Sequence, residues 1–153
     1  MQDYLLEEGR LAPSNAAAAL IVDESGRYLL QLRDQIPGIF YPGHWGLFGG
    51  GTEAGESLET AMRRELFEEL NLAVSDIRYF TEFTFDFSFN GFPRVVRRFF
   101  EVPIDSAMVG GLKLNEGAAL KSFTPEEICK DLRAVPYDAF AVWLHATRSK
   151  NDP

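Results

Sequence analysis

Glu65, Glu68 and Glu69 crowd into five consecutive residues directly after Arg64, and the run Gly49-Gly50-Gly51 lies shortly before them. On a helix turning ~100° per residue, Glu69 sits ~40° and Glu68 ~300° round from Glu65, so three carboxylates share an arc of roughly 100°. Like charges packed this way destabilise a bare helix. A divalent cation turns the repulsion into coordination, and an all-oxygen donor set suits Mg²⁺ or Mn²⁺. Arg64, one turn before Glu68, is placed to orient it. Glycines ahead of the helix let a backbone carbonyl or amide come close to a metal or a phosphate. Taken singly, each feature has a plainer reading, since helix glutamates are usually a solvated face and glycine runs are usually turns. Their combination is what points to chemistry.

The elements that must position these groups can be read from periodicity. Leu58, Met62, Leu66 and Leu70 recur every fourth residue and predict a helix over 57–70, with Ser57 as N-cap and Asn71 as a left-handed stop. Ala16–Asp23 reads as a buried strand, Glu24-Ser25-Gly26 as a turn, and Arg27–Arg33 as the hairpin partner. The stretch from Gln35 to Gly55 reads as loop. Val74–Phe89 alternates phenylalanine with polar residues, Asn90-Gly91 predicts a two-residue hairpin, and Arg94–Val102 is the return strand. Leu120–Phe123 reads as a short strand, Thr124-Pro125-Glu126-Glu127 as a capping box opening a short helix, and Pro136–Thr147 as a last amphipathic helix. Strands interleaved with three helices imply an α+β chain, a mixed sheet covered by helices.

Composition bounds the function. At 153 residues, 46% apolar and 25% charged, the chain is expected to form one globular domain over 1–153. Its longest apolar run, Ala16–Val22, is too short for a membrane span, and Met1-Gln2-Asp3-Tyr4 has no basic, apolar leader character. The single Cys129 suits a reducing compartment, so a cytoplasmic location is expected. A net charge of −8 disfavours nucleic-acid polymers. An anionic small molecule would need a metal or an arginine cluster to overcome that field.

Gly50, five residues, Glu56, seven residues, then Arg64-Glu65-Leu66-Phe67-Glu68-Glu69-Leu70-Asn71-Leu72 resembles the signature of the Nudix hydrolase family, with Asn71 where the family has glycine. Asn is the next-best residue at a left-handed helix end. The resemblance implies a Nudix fold, a mixed sheet sandwiched between helices in three layers, α/β/α. It implies hydrolysis of a nucleoside diphosphate linked to another moiety, with Mg²⁺ or Mn²⁺ as cofactor. Glu65, Glu68 and Glu69 would be metal ligands, joined by a main-chain carbonyl at Gly49 or Gly50, while Arg64 and Glu56 would hold the loop and helix in shape. The proton of the attacking water would pass to Glu65 or to Glu116, the latter in the loop Gly110–Gly117. A catalytically silent nucleotide-binding module on the same fold is disfavoured by the intact carboxylates. An isomerase would want a cysteine near the pocket, and Cys129 falls far beyond the motif.

Arg94, Arg97 and Arg98 form the densest basic cluster, and Arg94 and Arg98 share one strand face with Arg97 on the other. Arg94 or Arg98 is the expected grip on substrate, with Arg97 as the opposite-face control. Arg33 is placed similarly at a strand end, and Trp45 is read either as packing or as stacking on a base. The phenylalanines of 83–89 read as core or as a subunit interface, the second of which would make a homodimer. Cys129 reads as a small buried residue. The positions where ADP-ribose hydrolases of the family carry Pro hold Asp86 and Phe87, and where diadenosine polyphosphate hydrolases carry Tyr this chain has Ser88 and Phe89. The longer NADH-type signature is missing too. Nucleoside triphosphates and nucleotide sugars are left as the favoured substrates.

Overall fold

A computed structural model describes residues 11–149; the reading of Met1–Tyr4 falls outside them. Seven strands make one mixed sheet: β1 (Ala16–Asp23), β2 (Tyr28–Leu32), β3 (Trp45–Gly46), β4 (Phe48–Gly51), β5 (Arg78–Asp86), β6 (Arg94–Ile104) and β7 (Ala119–Phe123). Two helices pack on it, α1 (Leu58–Leu70) and α2 (Pro136–Ser149). β1 runs parallel to β6 from Ala16↔Arg97 to Asp23↔Ile104, and the other pairings are antiparallel. β1 and β2 meet at Val22↔Tyr28 and then part. β3 bonds to β2 and β4 to β1, so the segment Trp45–Gly51 lies in the gap between them.

β1 explains the layering. Its apolar run is continuous because both faces are covered. Ala17, Ala19 and Ile21 pack with Met62, Leu66 and Leu70 of α1, whereas Ala18 and Leu20 pack with Ala141 and Val142 of α2. This is the three-layer arrangement that the family resemblance implies. Between β7 and α2, Thr124 and Glu127 make the expected reciprocal cap, Glu127 N–H donating to Thr124 Oγ1 at 3.2 Å and Thr124 N–H to Glu127 Oε2 at 2.7 Å. The turn that follows, Glu127–Asp131, is wound as a π-helix rather than a short α-helix.

The ends of α1 follow the sequence closely. Ser57 Oγ accepts the Thr60 N–H at 3.1 Å. Asn71 stands at φ 54°, ψ 33°, its N–H donating to Phe67 O, while Leu72 N–H reaches back to Leu66 O. The first of these bonds closes the helix as a left-handed αL cap, with Asn in the place usually given to Gly.

Three readings are corrected. Asn90-Gly91 does not make a two-residue hairpin: the last rung joins Asp86 to Arg94, and residues 87–93 carry a 3-10 turn, Ser88–Asn90, closed by Gly91 at φ 78°. The phenylalanine stretch pairs only over Arg78–Asp86, shorter than 74–89. The glycine run is strand, not loop, because Gly49, Gly50 and Gly51 pair with Ala18, Ala17 and Ala16. Among the described residues no helix is long and apolar enough to cross a membrane.

Candidate active site

β4 lies under α1, and its glycines set how close the two come. Gly49 has φ 149°, and a Cβ there would overlap the carbonyl oxygen of Ala17. A Cβ on Gly50 would stand 2.6 Å from Glu65 Oε1. Without those atoms the carboxylates of α1 lie against the strand backbone, and Gly49 N–H donates to Glu69 Oε2 at 3.1 Å. Arg64 is the hub beside them. Its Nε and Nη2 grip both oxygens of Glu56 at 2.8 and 2.9 Å, Nη1 donates to Glu65 (2.8 Å) and Glu68 (3.1 Å), and Nη2 also reaches Gly51 O at 3.0 Å. The loop before β7 is tied to the end of α1, where Asn115 N–H donates to Glu69 O and Asn115 Nδ2 to Glu68 O, which brings Glu116 to the same cleft.

The cleft has a volume of about 1040 Å³ and is lined by Glu65, Glu68, Glu69, Glu116, Gly49, Gly50 and Arg33 of the expected site. Burial pushes the Glu69 carboxyl up to about 8, and the nearby Glu65 and Glu116 push the same way against the Gly49 amide and Arg33. Burial also raises Glu65, though Arg64 opposes it. Among the described residues no three acidic, His or Cys side chains already converge as a finished metal cage. Arg64 instead draws Glu65 and Glu68 to itself. The donor set fits a hard divalent cation all the same: several carboxylates face one cleft, and the most buried of them, Glu69, is raised despite the Gly49 amide and the charge of Arg33.

The far side of the cleft was not anticipated. Arg97 stands over the Tyr137 ring, its guanidinium carbon 4.9 Å from the centroid, and donates from Nε and Nη2 to Asp138 Oδ1 at 3.1 and 2.9 Å. Asp138 is only 3% exposed, and its Oδ2 accepts Leu47 N–H at 3.0 Å, which pins the turn between β3 and β4 to α2. Tyr137 and Asp138 open α2, and Phe85 and Phe87 complete an aromatic wall. One sequence feature pointed here: an arginine between Val95 and Phe99 on an inward strand face demands a buried acid, and Asp138 begins an apolar helix.

Several residues expected to bind substrate lie elsewhere. Arg94 pairs with Asp86 at 3.1 Å and Arg98 with Glu82 at 2.8 Å, and neither lines the cleft. Strand alternation turns Arg97 inward, because Val95 and Phe99 on its face are buried. Trp45 packs its ring 4.8 Å from Phe123 instead of facing the cleft. Arg33 does face it, its Nε fixed on Phe40 O at 2.8 Å. Cys129 is exposed, not buried, and sits away from the cleft.

A glycine strand, a carboxylate-bearing helix and a guanidinium lock between them define a class of fold and site, and comparison with known proteins agrees. The chain belongs to the NUDIX domain family, whose model matches residues 12–143. A nucleoside triphosphatase NudI from Salmonella arizonae is 46% identical over 63 residues, which are 40% of this chain and 44% of that protein. The chain matches less than half the length of such curated relatives. Among solved structures, a MutT protein from Methanosarcina mazei Go1 superposes with TM-score 0.73 at 22% identity, covering 92% of this chain and 98% of that one. The MutT NUDIX hydrolase of Burkholderia pseudomallei gives TM-score 0.68 at 26% identity, covering 87% and 98%.

Proposed function

We propose that the chain is a divalent-metal-dependent pyrophosphohydrolase that cleaves a nucleoside diphosphate linked to another group, with nucleoside triphosphates ahead of nucleotide sugars. The observation that carries this reading is the gathering of Glu65, Glu68, Glu69 and Glu116 on one cleft beside the glycines of β4. The likeness to proteins named nucleoside triphosphatase favours triphosphates.

Glu65, Glu68 and Glu69, with a carbonyl of Gly49 or Gly50, would hold Mg²⁺ or Mn²⁺. When bound, such a cation neutralises pyrophosphate and acidifies a water for attack on phosphorus. The chain's own residues do the rest. Gly49 N–H fixes the Glu69 carboxylate, and Arg64 fixes Glu65 and Glu68 while anchored on Glu56. Glu65 or Glu116 accepts the proton of the attacking water. Arg33 adds positive charge close to the acidic cluster, where a phosphate must approach. A single domain acting in the cytoplasm on small nucleotides, as monomer or homodimer, fits this reading.

The test is a phosphate- and pyrophosphate-release assay over nucleoside triphosphates and nucleotide sugars, with and without Mg²⁺. Metal-dependent release from triphosphates is the expected result. Release from none of them, with intact nucleotide remaining by chromatography, would reject the proposal.

A further inference from the structure

The cleft is lined by two chemically different groups of residues, the carboxylates of α1 and the aromatic rings Phe85, Phe87 and Tyr137 with Arg97 beside them. Arg97 is near enough to feel the charge of Glu69. Phe85 and Phe87 lie nearly parallel, 15° apart with centroids at 6.0 Å, and Tyr137 meets Phe85 edge-on at 5.9 Å. A substrate whose phosphates go to the carboxylates through a cation must place its planar part against the aromatic rings.

Arg97 is built there to donate in one direction. Its Nε and Nη2 are held by Asp138 Oδ1, and its plane is set by Tyr137 on one side, with Phe99 5.6 Å away. The Nη1 group makes no hydrogen bond to the described protein, and Arg97 lines the cleft with its side chain 17% exposed. Asp138 has both oxygens engaged, by Arg97 and by Leu47 N–H, so beside Arg97 it offers no free acceptor.

We propose that Arg97 reads the nucleobase, selecting bases that present a carbonyl oxygen (guanine, cytosine, uracil) over adenine. Guanine offers O6 beside N7, and the pyrimidines offer O2 or O4. Adenine has no carbonyl and sets its N6 amino group beside its ring acceptors on the Watson–Crick and major-groove edges, so donor would meet donor. Asp138 is then a positioning residue, acting on the base through Arg97. The inference rests on the proposed hydrolysis only in placing the nucleotide's phosphates at the carboxylates.

The experiment is calorimetric titration of the full chain, in Mg²⁺, with GMP, CMP, UMP and AMP, which need no turnover to bind. GMP, CMP and UMP are expected to bind at least about tenfold more tightly than AMP, the discrimination of one charge-assisted hydrogen bond. In Arg97→Lys, which keeps the charge and loses the fork, the spread should shrink to about threefold or less. Equal affinities in the wild type, or no binding of any of the four at millimolar concentration, overturn the proposal. So does a uniform weakening of all four in Arg97→Lys, which would make Arg97 a strut only. Should Arg97→Lys not fold, the wild-type ranking decides alone. A base ranking in a chain that releases no phosphate rejects the hydrolase and keeps this inference, and active hydrolysis with no ranking does the reverse.

Discussion

Glu69 shows what a single carboxylate can report. It is 4% exposed and pushed up to about 8 by burial and by Glu65 and Glu116, an arrangement typical of functional sites. Glu69→Gln keeps the shape and the bond from Gly49, so circular dichroism should stay native while turnover falls by at least ~10²-fold. Full activity in that variant, or in excess EDTA, removes the metal assignment. Glu56 titrates the opposite way. Its bonds from Arg64, with help from the Glu53 amide, hold it down to about 2, below its ordinary value of 4.5. A carboxyl depressed in the folded state contributes stability that is whole above its unfolded value and is lost as pH falls through the folded one. Acid unfolding of the wild type should therefore steepen between pH 4.5 and 2 relative to Glu56→Gln. Superimposable acid curves would show that the Arg64 lock contributes nothing to stability.

At the scale of elements, adjacent glycines of β4 have different duties. A methyl on Gly49 would strike the backbone carbonyl of Ala17, which cannot yield without breaking the β1–β4 pairing, and its φ of 149° is one that L side chains rarely adopt. A methyl on Gly50 meets only the carboxyl end of Glu65, which can swing aside. Gly49→Ala should lower the melting temperature by several degrees. Gly50→Ala should melt close to wild type yet lose activity, because Glu65 is displaced from the cleft. Equal effects of the two on stability would refute this division. The same elements show what the sequence could disclose. Ser57, Asn71 and the spacing of Glu65, Glu68 and Glu69 were legible because one helix's geometry fixes them. Asn90-Gly91 misled because its local preference was outweighed by the turn at Ser88–Asn90, which delays the strand return to Arg94. Alternation correctly placed Arg97 opposite Arg94 and Arg98. Which of the two faces meets the cleft follows from the buried Val95 and Phe99 on the face of Arg97 and from Asp138, far along the chain on α2.

For the molecule as a whole, a net charge of −8 and a cleft of carboxylates make the cation part of the energy balance. A ligand that binds only the folded state stabilises it by about 2.7 kcal/mol at a hundredfold excess over Kd. Melting should accordingly rise by roughly 5–10 °C in saturating Mg²⁺, at ~2–4 °C per kcal/mol for a chain of this size. Glu69→Gln should show most of that rise gone. A wild-type melting point indifferent to Mg²⁺ and Mn²⁺ alike would mean the carboxylates are not a cation site.

The parallel pairing of β1 with β6 has a consequence for how the chain is made. β1 has its five central residues, Ala17–Ile21, fully buried, yet the partner that covers its long edge is synthesised only after β2 to β5, and the helix that covers one of its faces comes later still. Until then its apolar run has an open edge and an uncovered face, the condition under which nascent chains stick to one another. Pairing between such distant segments also slows folding. A nascent chain halted before Pro136 should accordingly be held by chaperones or aggregate, and release of the last helix, the one that carries Asp138, would be the event that commits it to the folded state.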